Sequence, residues 1–231
     1  ATSLSYTFQI YFDFSGYTDM AIGAALLFNI KLPQNFNSPY KATSIQDFWR
    51  RWHMTLSRFL KEYVYIPLGG NRNGSISTST NLLATFLIGG IWHGAAWTFI
   101  FWGFLHGIAL VINNIWKSIG FRLPTFIAWF ITFNFINITW VFFRAKEWGD
   151  ALKVLNSMFF GSFIISYDTV KKFPILDFIS TGKVLDHIDA SRYGLMTIAI
   201  AFIIILLFKN TTQLSTNFKP NKINALIIYC C

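Results

Sequence analysis

The longest uncharged run of the sequence covers residues 73–116 and carries the segment GGIWHGAAW at residues 89–97. Soluble domains interrupt such runs with charged side chains, which make up about a quarter of their residues. Here 13% of the residues are charged, 54% are hydrophobic and 19% are aromatic. The apolar residues form long blocks joined by short basic or polar connections, as in a chain that crosses a bilayer several times. The sequence therefore predicts an all-α, polytopic helical bundle in a cell membrane.

Four apolar blocks, residues 4–30, 82–116, 124–143 and 193–208, have the length or apolarity of membrane segments. A crossing needs about 20 residues. The first block contains Asp13 and Asp19, and at that depth a carboxylate must face the protein interior or a water-filled cavity. Small side chains in the same block predict close packing against another helix, namely Gly16, Ala21, Gly23, Ala24 and Ala25.

An amphipathic helix is predicted between the first two blocks. Large apolar side chains recur there at helical spacing with Arg and Lys around them: Phe48, Trp52, Leu56, Phe59 and Tyr63. This pattern is typical of a helix lying in the membrane interface, with its aromatic residues buried and its arginines at the headgroups. Pro67 and the Gly69–Gly70 pair predict a turn after it. The interpretation leaves a functional role for His53 open.

The charges of the connections predict the orientation of the spans. Residues 31–73 hold seven basic and two acidic residues, 117–122 and 209–222 are also net positive, and 144–190 hold six of each. The positive-inside rule places the first three in the cytoplasm and the last outside. Block 82–116 then starts and ends on the cytoplasmic side, yet at ~1.5 Å per residue it is too short for two full ~30 Å crossings. We expect a short or re-entrant limb, or one extended back through 75–80, and a bend near residues 89–94 that contains His93.

The four histidines have different expected roles. No GxSxG or HExxH motif is present and the two cysteines are terminal. The sequence therefore predicts no serine nucleophile, no metal site and no bound cofactor. His187 is expected to be solvated, and His106 to be a packed or hydrogen-bonded histidine. For His93 the residues alone leave two alternatives, a general base or a neutral imidazole hydrogen-bonded to a backbone carbonyl at the bend.

Three stretches carry a resemblance to a known family: the segment from YFDFSGYTDM to PLGGNR, the segment NLLATFLIGGIWHGAAWTFIFWGFLHG, and FNFINITWVFFRA. With its motifs FWRRWH and GGIWHGAAW forty residues apart, the chain resembles the membrane-bound O-acyltransferase (MBOAT) superfamily, and within it the bacterial alginate O-acetyltransferase type. The resemblance extends from residue 6 to about 160 and predicts one MBOAT-type transmembrane domain over residues 1–231. We expect this chain to be the C-terminal half of a longer protein, without the N-terminal spans and the end of the last span.

The resemblance also implies a function in the bacterial inner membrane. His93 is expected to be the general base and His53 the second functional histidine; four further residues are expected to contact substrate, namely Trp52, Trp92, Gly94 and the intramembrane carboxylate Asp13. The oxyanion stabiliser is expected to be His53, Trp52 or a backbone amide at Gly89–Gly90. The implied donor is cytoplasmic acetyl-CoA or another acyl thioester, and the acceptor is an exported polysaccharide. Lipids and a periplasmic or extracellular acetyltransferase are expected partners, whereas the net charge of +9 is attributed to the membrane surface and not to nucleic acid.

Two alternative functions are less well supported by the residues. D-alanyl transfer to teichoic acid is a sibling chemistry, and the stretch YVYIPLGGNR favours the polysaccharide branch over it. A proton-linked transporter would carry polar residues along several spans, and here only Asp13, Asp19 and the histidines qualify. Residues 73–80 read NGSISTST, where members of the family often have a basic segment, so any role of those charges is absent from this stretch.

Overall fold

The computed structural model describes residues 1–161 and 190–216. These ranges form only helices and connections, which confirms the predicted all-α fold. His187, the interior of the 161–190 connection and the terminal cysteines lie outside the described residues. The helices are α1 (Thr2–Leu27), α2 (Ile45–Trp49), α3 (Met54–Leu60), α4 (Gly74–His93), α5 (Trp97–Ile119), α6 (Thr125–Arg144), α7 (Trp148–Phe160), α8 (Ala190–Leu207) and α9 (Thr211–Thr216), with a 3₁₀ turn at Pro39–Lys41 and a π-helical turn at Lys61–Tyr65.

Helices α4 and α5 form a hairpin whose turn lies at residues 94–96. The predicted bend at residues 89–94 is therefore placed too early, because Gly89 and Gly90 are helical. The first limb begins at Gly74, as in the expected extension through residues 75–80. With 20 and 23 residues, the two limbs reach ~30 and ~34 Å, enough for two full crossings. The hairpin does not need a shortened limb.

Glycines bring the two limbs of this hairpin into backbone contact. A Cβ on Gly103 would lie 2.3 Å from the Phe86 carbonyl oxygen, and one on Gly90 would lie 2.5 Å from the Phe99 carbonyl oxygen. In α1, where close packing was predicted, a Cβ on Gly16 or Gly23 would meet nothing within 4 Å among the described residues. Small residues thus mediate close helix contact in the hairpin and not at these positions of α1.

The predicted single amphipathic helix is wrong, because the segment is divided between α2 and α3. Ser44 caps the start of α2, and its hydroxyl accepts the Asp47 N–H. The helix ends at Trp49, before His53, which adopts left-handed backbone angles (φ 42°, ψ 55°). Phe48 and Trp52 are 1% and 3% exposed and belong to the core of the bundle. The first part of the segment therefore packs inside the protein, where Phe48 and Trp52 contact other helices.

Only the end of that segment is exposed. Phe59 and Tyr63 are 52% and 67% exposed and stack on each other with ring centroids 5.0 Å apart. The predicted turn follows, with φ of 106° at Gly69 and 57° at Gly70, angles that residues with a side chain rarely adopt.

Three net-positive connections meet at one end of the bundle. The Lys117 ammonium contacts the Gln46 amide oxygen, and Lys41 Nζ donates to the Phe208 carbonyl at 2.9 Å. At the opposite end, Thr98 beside the hairpin turn donates to the Ala145 carbonyl at 3.3 Å. This arrangement agrees with the expected shared side of these connections, although the orientation in a membrane stays a prediction.

Two described helices, α5 and α6, are long and apolar enough to cross a membrane by length and composition. The predicted blocks in α1 and α4 do not meet that criterion over the described residues, and α8 contains a shorter apolar stretch, Met196–Leu207. Large apolar side chains nevertheless remain exposed outside α5 and α6, including Leu27 at 85% and Phe28 at 78%. Such surfaces are covered in a membrane protein by lipid or by other helices.

Candidate active site

A cavity of about 420 Å³ lies between α1, the α2–α3 segment, α4, α5 and α6. Four of the predicted site residues line it, namely His53, His93, Trp52 and Asp13. The remaining wall is formed by Tyr6, Gln9, Ile10, Phe14, Trp49, Leu56, Trp102, Trp140 and Phe143. Helices distant in sequence therefore bring both motif histidines to one mostly apolar chamber.

The other two predicted site residues do not line the cavity. Trp92 is 61% exposed and packs its ring against the neighbouring His93. Gly94 leaves room for the Phe99 ring, which a Cβ on this glycine would approach to 2.8 Å. That ring stacks on His93 with centroids 6.3 Å apart. Both residues adjoin His93 without reaching the chamber that it faces.

His93 is the last residue of α4, directly before the hairpin turn. Its imidazole is held between aromatic rings, with centroid distances of 5.0 Å to Phe143 and 5.2 Å to Trp102. Over residues 1–161 and 190–216, neither ring nitrogen has a hydrogen-bond partner, in contrast to the alternative in which a backbone carbonyl holds the imidazole. The nitrogens of His93 are therefore free for a ligand in the cavity.

The tautomer of His53 follows from its hydrogen bonds to Asn35. The Asn35 side-chain oxygen accepts the Thr55 backbone N–H at 3.1 Å and the Thr55 hydroxyl at 2.7 Å, which identifies this atom as oxygen. His53 Nδ1 lies 3.2 Å from the same oxygen and must donate to it. In the neutral imidazole, Nε2 then carries the lone pair.

The surroundings of His53 favour this neutral form. Burial lowers the pKa of His53 to about 4, and the nearby His93 lowers it further by a smaller amount. Removing an imidazolium from water is costly when no carboxylate compensates its charge. At neutral pH, His53 thus presents an unprotonated nitrogen.

Trp52 is held in place by aromatic packing on several sides. Its ring stacks on Phe48 at 5.7 Å with an interplanar angle of 14°, and it meets Phe36 and Trp140 at centroid distances of 5.0 Å. Behind it, the Trp140 N–H donates to the Tyr40 hydroxyl at 3.2 Å, which in turn donates to the Thr7 carbonyl at 2.6 Å. This packing gives the cavity a rigid wall.

His106 is buried behind the wall and does not line the cavity. Its Nδ1 accepts the Trp49 indole N–H at 3.1 Å, so Nε2 carries the proton and donates to the Thr139 hydroxyl at 3.1 Å. The Thr139 hydroxyl in turn donates a hydrogen bond to the Ile136 carbonyl at 2.8 Å. Every polar atom of this chain of bonds is satisfied, which confirms His106 as a hydrogen-bonded packing residue.

Residues that the sequence analysis did not select complete the site. Asn35 orients His53 from eighteen residues away, and no spacing rule connects the two positions. Trp140 and Phe143 lie within the quoted stretch FNFINITWVFFRA, which was the available signal for them. Trp102 lies in α5, shortly after the end of GGIWHGAAW, and also lines the chamber.

The polar side chains on the cavity wall are suited to acid–base chemistry. Within the part of the chain that the structure describes, no three His, Cys, Asp or Glu side chains lie close enough to hold a metal ion. The polar groups on the wall include two imidazoles and one carboxylate, at His53, His93 and Asp13. Neutral imidazoles in such a chamber can accept a proton from a hydroxyl group.

Comparisons with known proteins agree with this arrangement. Residues 1–145 match the model of the MBOAT, membrane-bound O-acyltransferase family. A peptidoglycan O-acetyltransferase of Helicobacter pylori is 66% identical over 161 residues, which are 68% of this chain and 31% of that protein. A probable alginate O-acetylase AlgI of Pseudomonas aeruginosa is 46% identical over 166 residues, covering 71% of this chain and 32% of that protein.

A more distant relative is the teichoic acid D-alanyltransferase of Bacillus subtilis, 32% identical over 156 residues, with 61% of this chain and 40% of that protein covered. The chain thus matches between 31% and 40% of the length of these three relatives. The predicted resemblance to bacterial O-acetyltransferases is confirmed, with higher identity to the peptidoglycan protein than to the alginate protein. The matched region contains both motif histidines and every helix that lines the cavity, and the chain belongs to the membrane-bound O-acyltransferase family.

Proposed function

We propose that the protein transfers an acetyl group from an acyl thioester to hydroxyl groups of an exported glycan, with peptidoglycan as the acceptor. The observation that carries this proposal is the pair of His53 and His93 on one chamber, each with a nitrogen free to accept a proton. The 66% identity to a protein named peptidoglycan O-acetyltransferase supports this acceptor over alginate.

In the proposed reaction His93 is the general base. Its free nitrogen removes the proton of the acceptor hydroxyl, whose oxygen forms a bond to the thioester carbon. The tetrahedral intermediate then re-forms its carbonyl and releases the thiolate. A positioned base contributes about 10²- to 10⁴-fold to the rate, and a thiol with a pKa near 8.5 leaves with little help from an acid.

The other cavity residues are proposed to position the acceptor. His53 presents Nε2, which can accept a hydrogen bond from a sugar hydroxyl, because Asn35 occupies Nδ1. The Asp13 carboxylate can accept a second one, and the Trp52 ring provides a flat apolar wall. Trp92 and Gly94 are proposed to act indirectly, since both adjoin His93 at the end of α4.

The two substrates are proposed to arrive from opposite ends of the bundle. The end at which the net-positive connections meet would face the cytoplasm and suits an anionic thioester such as acetyl-CoA. The acceptor glycan would approach from the other side in a bacterial inner membrane. A periplasmic or extracellular acetyltransferase is a proposed partner that would receive or deliver the acetyl group there.

The test is substitution of His93 in the full-length protein. We expect His93→Ala and the near-isosteric His93→Gln to abolish glycan acetylation, because neither side chain can accept the hydroxyl proton. The measurement is the amount of base-labile acetate on peptidoglycan from cells that carry equal amounts of each variant in the membrane. Retained acetylation by both variants would contradict the assignment of the base.

A matched control is His106→Gln, which alters a histidine outside the cavity. This variant should unfold at a lower temperature, because Trp49 and Thr139 lose buried partners, but its activity per folded molecule should persist. Supplying a D-alanyl thioester in place of an acetyl thioester distinguishes the sibling chemistry. Preferential use of the D-alanyl donor would overturn the acetyl assignment while keeping the acyltransferase mechanism.

A further inference from the structure

One tryptophan on the cavity wall has a buried N–H group without a protein partner. Trp102 is 2% exposed and lines the cavity, and its indole Nε1–H donates to nothing within the described ranges 1–161 and 190–216. Burying such a donor without a partner costs free energy, so unpaired buried groups are rare in folded proteins. An unpaired donor beside a cavity is accounted for when a ligand supplies the acceptor.

Three other tryptophans of the bundle have protein acceptors for their N–H groups. Trp49 donates to His106 at 3.1 Å, Trp140 to the Tyr40 hydroxyl at 3.2 Å, and Trp129 to the Tyr40 carbonyl at 2.9 Å. The Trp102 ring packs among the same groups, 6.0 Å from Trp140 and 4.7 Å from His106 between centroids. Its N–H is left unpaired, whereas these three are bonded.

The position of this donor relative to the base is rigidly defined. The rings of Trp102 and His93 are perpendicular, at 89°, with centroids 5.2 Å apart. They stand on opposite limbs of the α4–α5 hairpin, which is locked by the backbone contacts of Gly90 and Gly103. A donor on a side chain packed against the base is close to the place where negative charge develops when a hydroxyl attacks a carbonyl group.

The backbone amides of Gly89 and Gly90, which were expected as possible oxyanion donors, are not available. Gly89 and Gly90 lie inside α4, where backbone N–H groups take part in the helix. An indole suits the task chemically, since it is a donor only and does not compete with His93 for the transferred proton.

We propose that Trp102 is a further catalytic residue whose indole N–H binds the thioester carbonyl oxygen and stabilises the oxyanion; this inference rests on the proposed function. As the acceptor oxygen bonds to the carbonyl carbon, its proton moves to His93 and the C=O π pair moves onto the oxygen that Trp102 binds. When the carbonyl re-forms, the C–S bond breaks and its electron pair leaves with sulfur, which takes up the proton from His93.

The experiment compares kcat and KM for acetyl-thioester transfer by the purified full-length protein and its Trp102→Phe variant. We expect a fall in kcat of about 10²-fold with KM unchanged, because the lost hydrogen bond strengthens mainly in the transition state. The unfolding temperature should fall only by the effect of the smaller ring, because no hydrogen bond is lost. Trp129→Phe is the matched control, with kcat unchanged and a lower unfolding temperature, because it removes a bonded N–H.

A second replacement keeps the shape of the side chain. 3-Benzothienylalanine incorporated at position 102 has the bicyclic ring of tryptophan with sulfur in place of N–H, and it should reproduce the loss of kcat in folded protein. Wild-type kcat in either replacement, or a rise in KM alone, overturns the role of Trp102. If wild type transfers acetyl and His93→Ala does not, such a result leaves the proposed function intact; a wild type without transferase activity overturns both.

Discussion

At the scale of single residues, Asn35 determines which neutral tautomer His53 presents to the cavity. Its side-chain oxygen is identified by two bonds from Thr55, and it accepts Nδ1–H of His53. Burial lowers the pKa of His53 to about 4, which is below its ordinary value, so the proton is lost well before neutral pH is reached. As pH falls, wild type should keep His53 neutral down to about that pH.

Asn35→Asp should reverse this shift. A carboxylate beside Nδ1–H stabilises the imidazolium, and an opposite charge at that distance raises a histidine pKa by about one to three units. If neutral His53 is needed, the acidic limb of the pH–rate profile moves to higher pH by a similar amount. The measurement is kcat/KM for acetyl transfer as a function of pH.

The control for this variant is Thr55→Val, which removes a hydroxyl from the same cluster without adding charge. Its acidic limb should stay where it is in wild type. An unchanged profile in Asn35→Asp would show that the protonation state of His53 does not govern the reaction.

At the scale of helices, the α4–α5 hairpin sets the distance between His93 and Trp102. Gly103 and Gly90 allow the two backbones to touch, and Gly107 extends the contact against Leu83. The spacing GFLHG at residues 103–107 is a small-xxx-small pattern, typical of close helix pairs in membranes. This pattern was a usable sequence signal for the contact, whereas a Cβ on Gly16 or Gly23 of α1 would meet no described atom within 4 Å.

Gly103→Ala should destabilise the protein. The added methyl would lie 2.3 Å from the Phe86 carbonyl oxygen, a backbone atom that no rotamer change can remove. Overpacking of this kind costs about 1–3 kcal/mol or more, and the limbs must separate, which also lowers activity. The measurement is the thermal unfolding midpoint in detergent, followed by helical circular dichroism.

Gly23→Ala is the matched control in α1, where the new methyl meets no described atom within 4 Å. A helical Gly→Ala change in open space is expected to stabilise by about 0.5–1 kcal/mol. Equal unfolding midpoints for the two variants would contradict the backbone contact in the hairpin.

At the scale of the whole molecule, charge and topology predict one orientation. The connections that contain Lys41, Lys117 and Asn210 meet at one end, while residues 94–96 and 145–147 lie at the other. Helices α5 and α6 separate these ends, and both are apolar enough to cross a membrane. The positive-inside rule then places the first end in the cytoplasm.

This orientation can be checked with single cysteines at two exposed positions, introduced after Cys230 and Cys231 are replaced by serine. A membrane-impermeant maleimide should label Lys146→Cys in spheroplasts and should label Ser118→Cys only after permeabilisation. Each variant is the control for the other, because both positions are exposed. The reverse pattern would invert the proposed sides of donor and acceptor.

The sequence predicted the membrane class correctly and selected the two motif histidines that the structure places on one chamber, but the predicted fold of the aromatic segment around His53 was wrong. The spacing of Phe48, Trp52 and Leu56 is helical in pattern, yet the chain leaves the helix at His53 in a left-handed conformation. The periodicity of apolar residues indicates which side chains are expected to be buried, but it does not distinguish burial in lipid from burial in a protein core. For this reason an interfacial helix was expected where a buried helix–turn–helix is found.

By itself, the sequence determined that the chain is helical, apolar and a member of an acyltransferase family, because composition, block length and motif identity are local properties. Only the tertiary structure decided which nitrogen of His53 is free, and that within the described residues the His93 nitrogens and the buried Trp102 N–H have no hydrogen-bond partner. These features depend on hydrogen bonds and packing between segments far apart in the chain, and such contacts exist only once α1 and α4 to α6 have assembled around the α2–α3 segment.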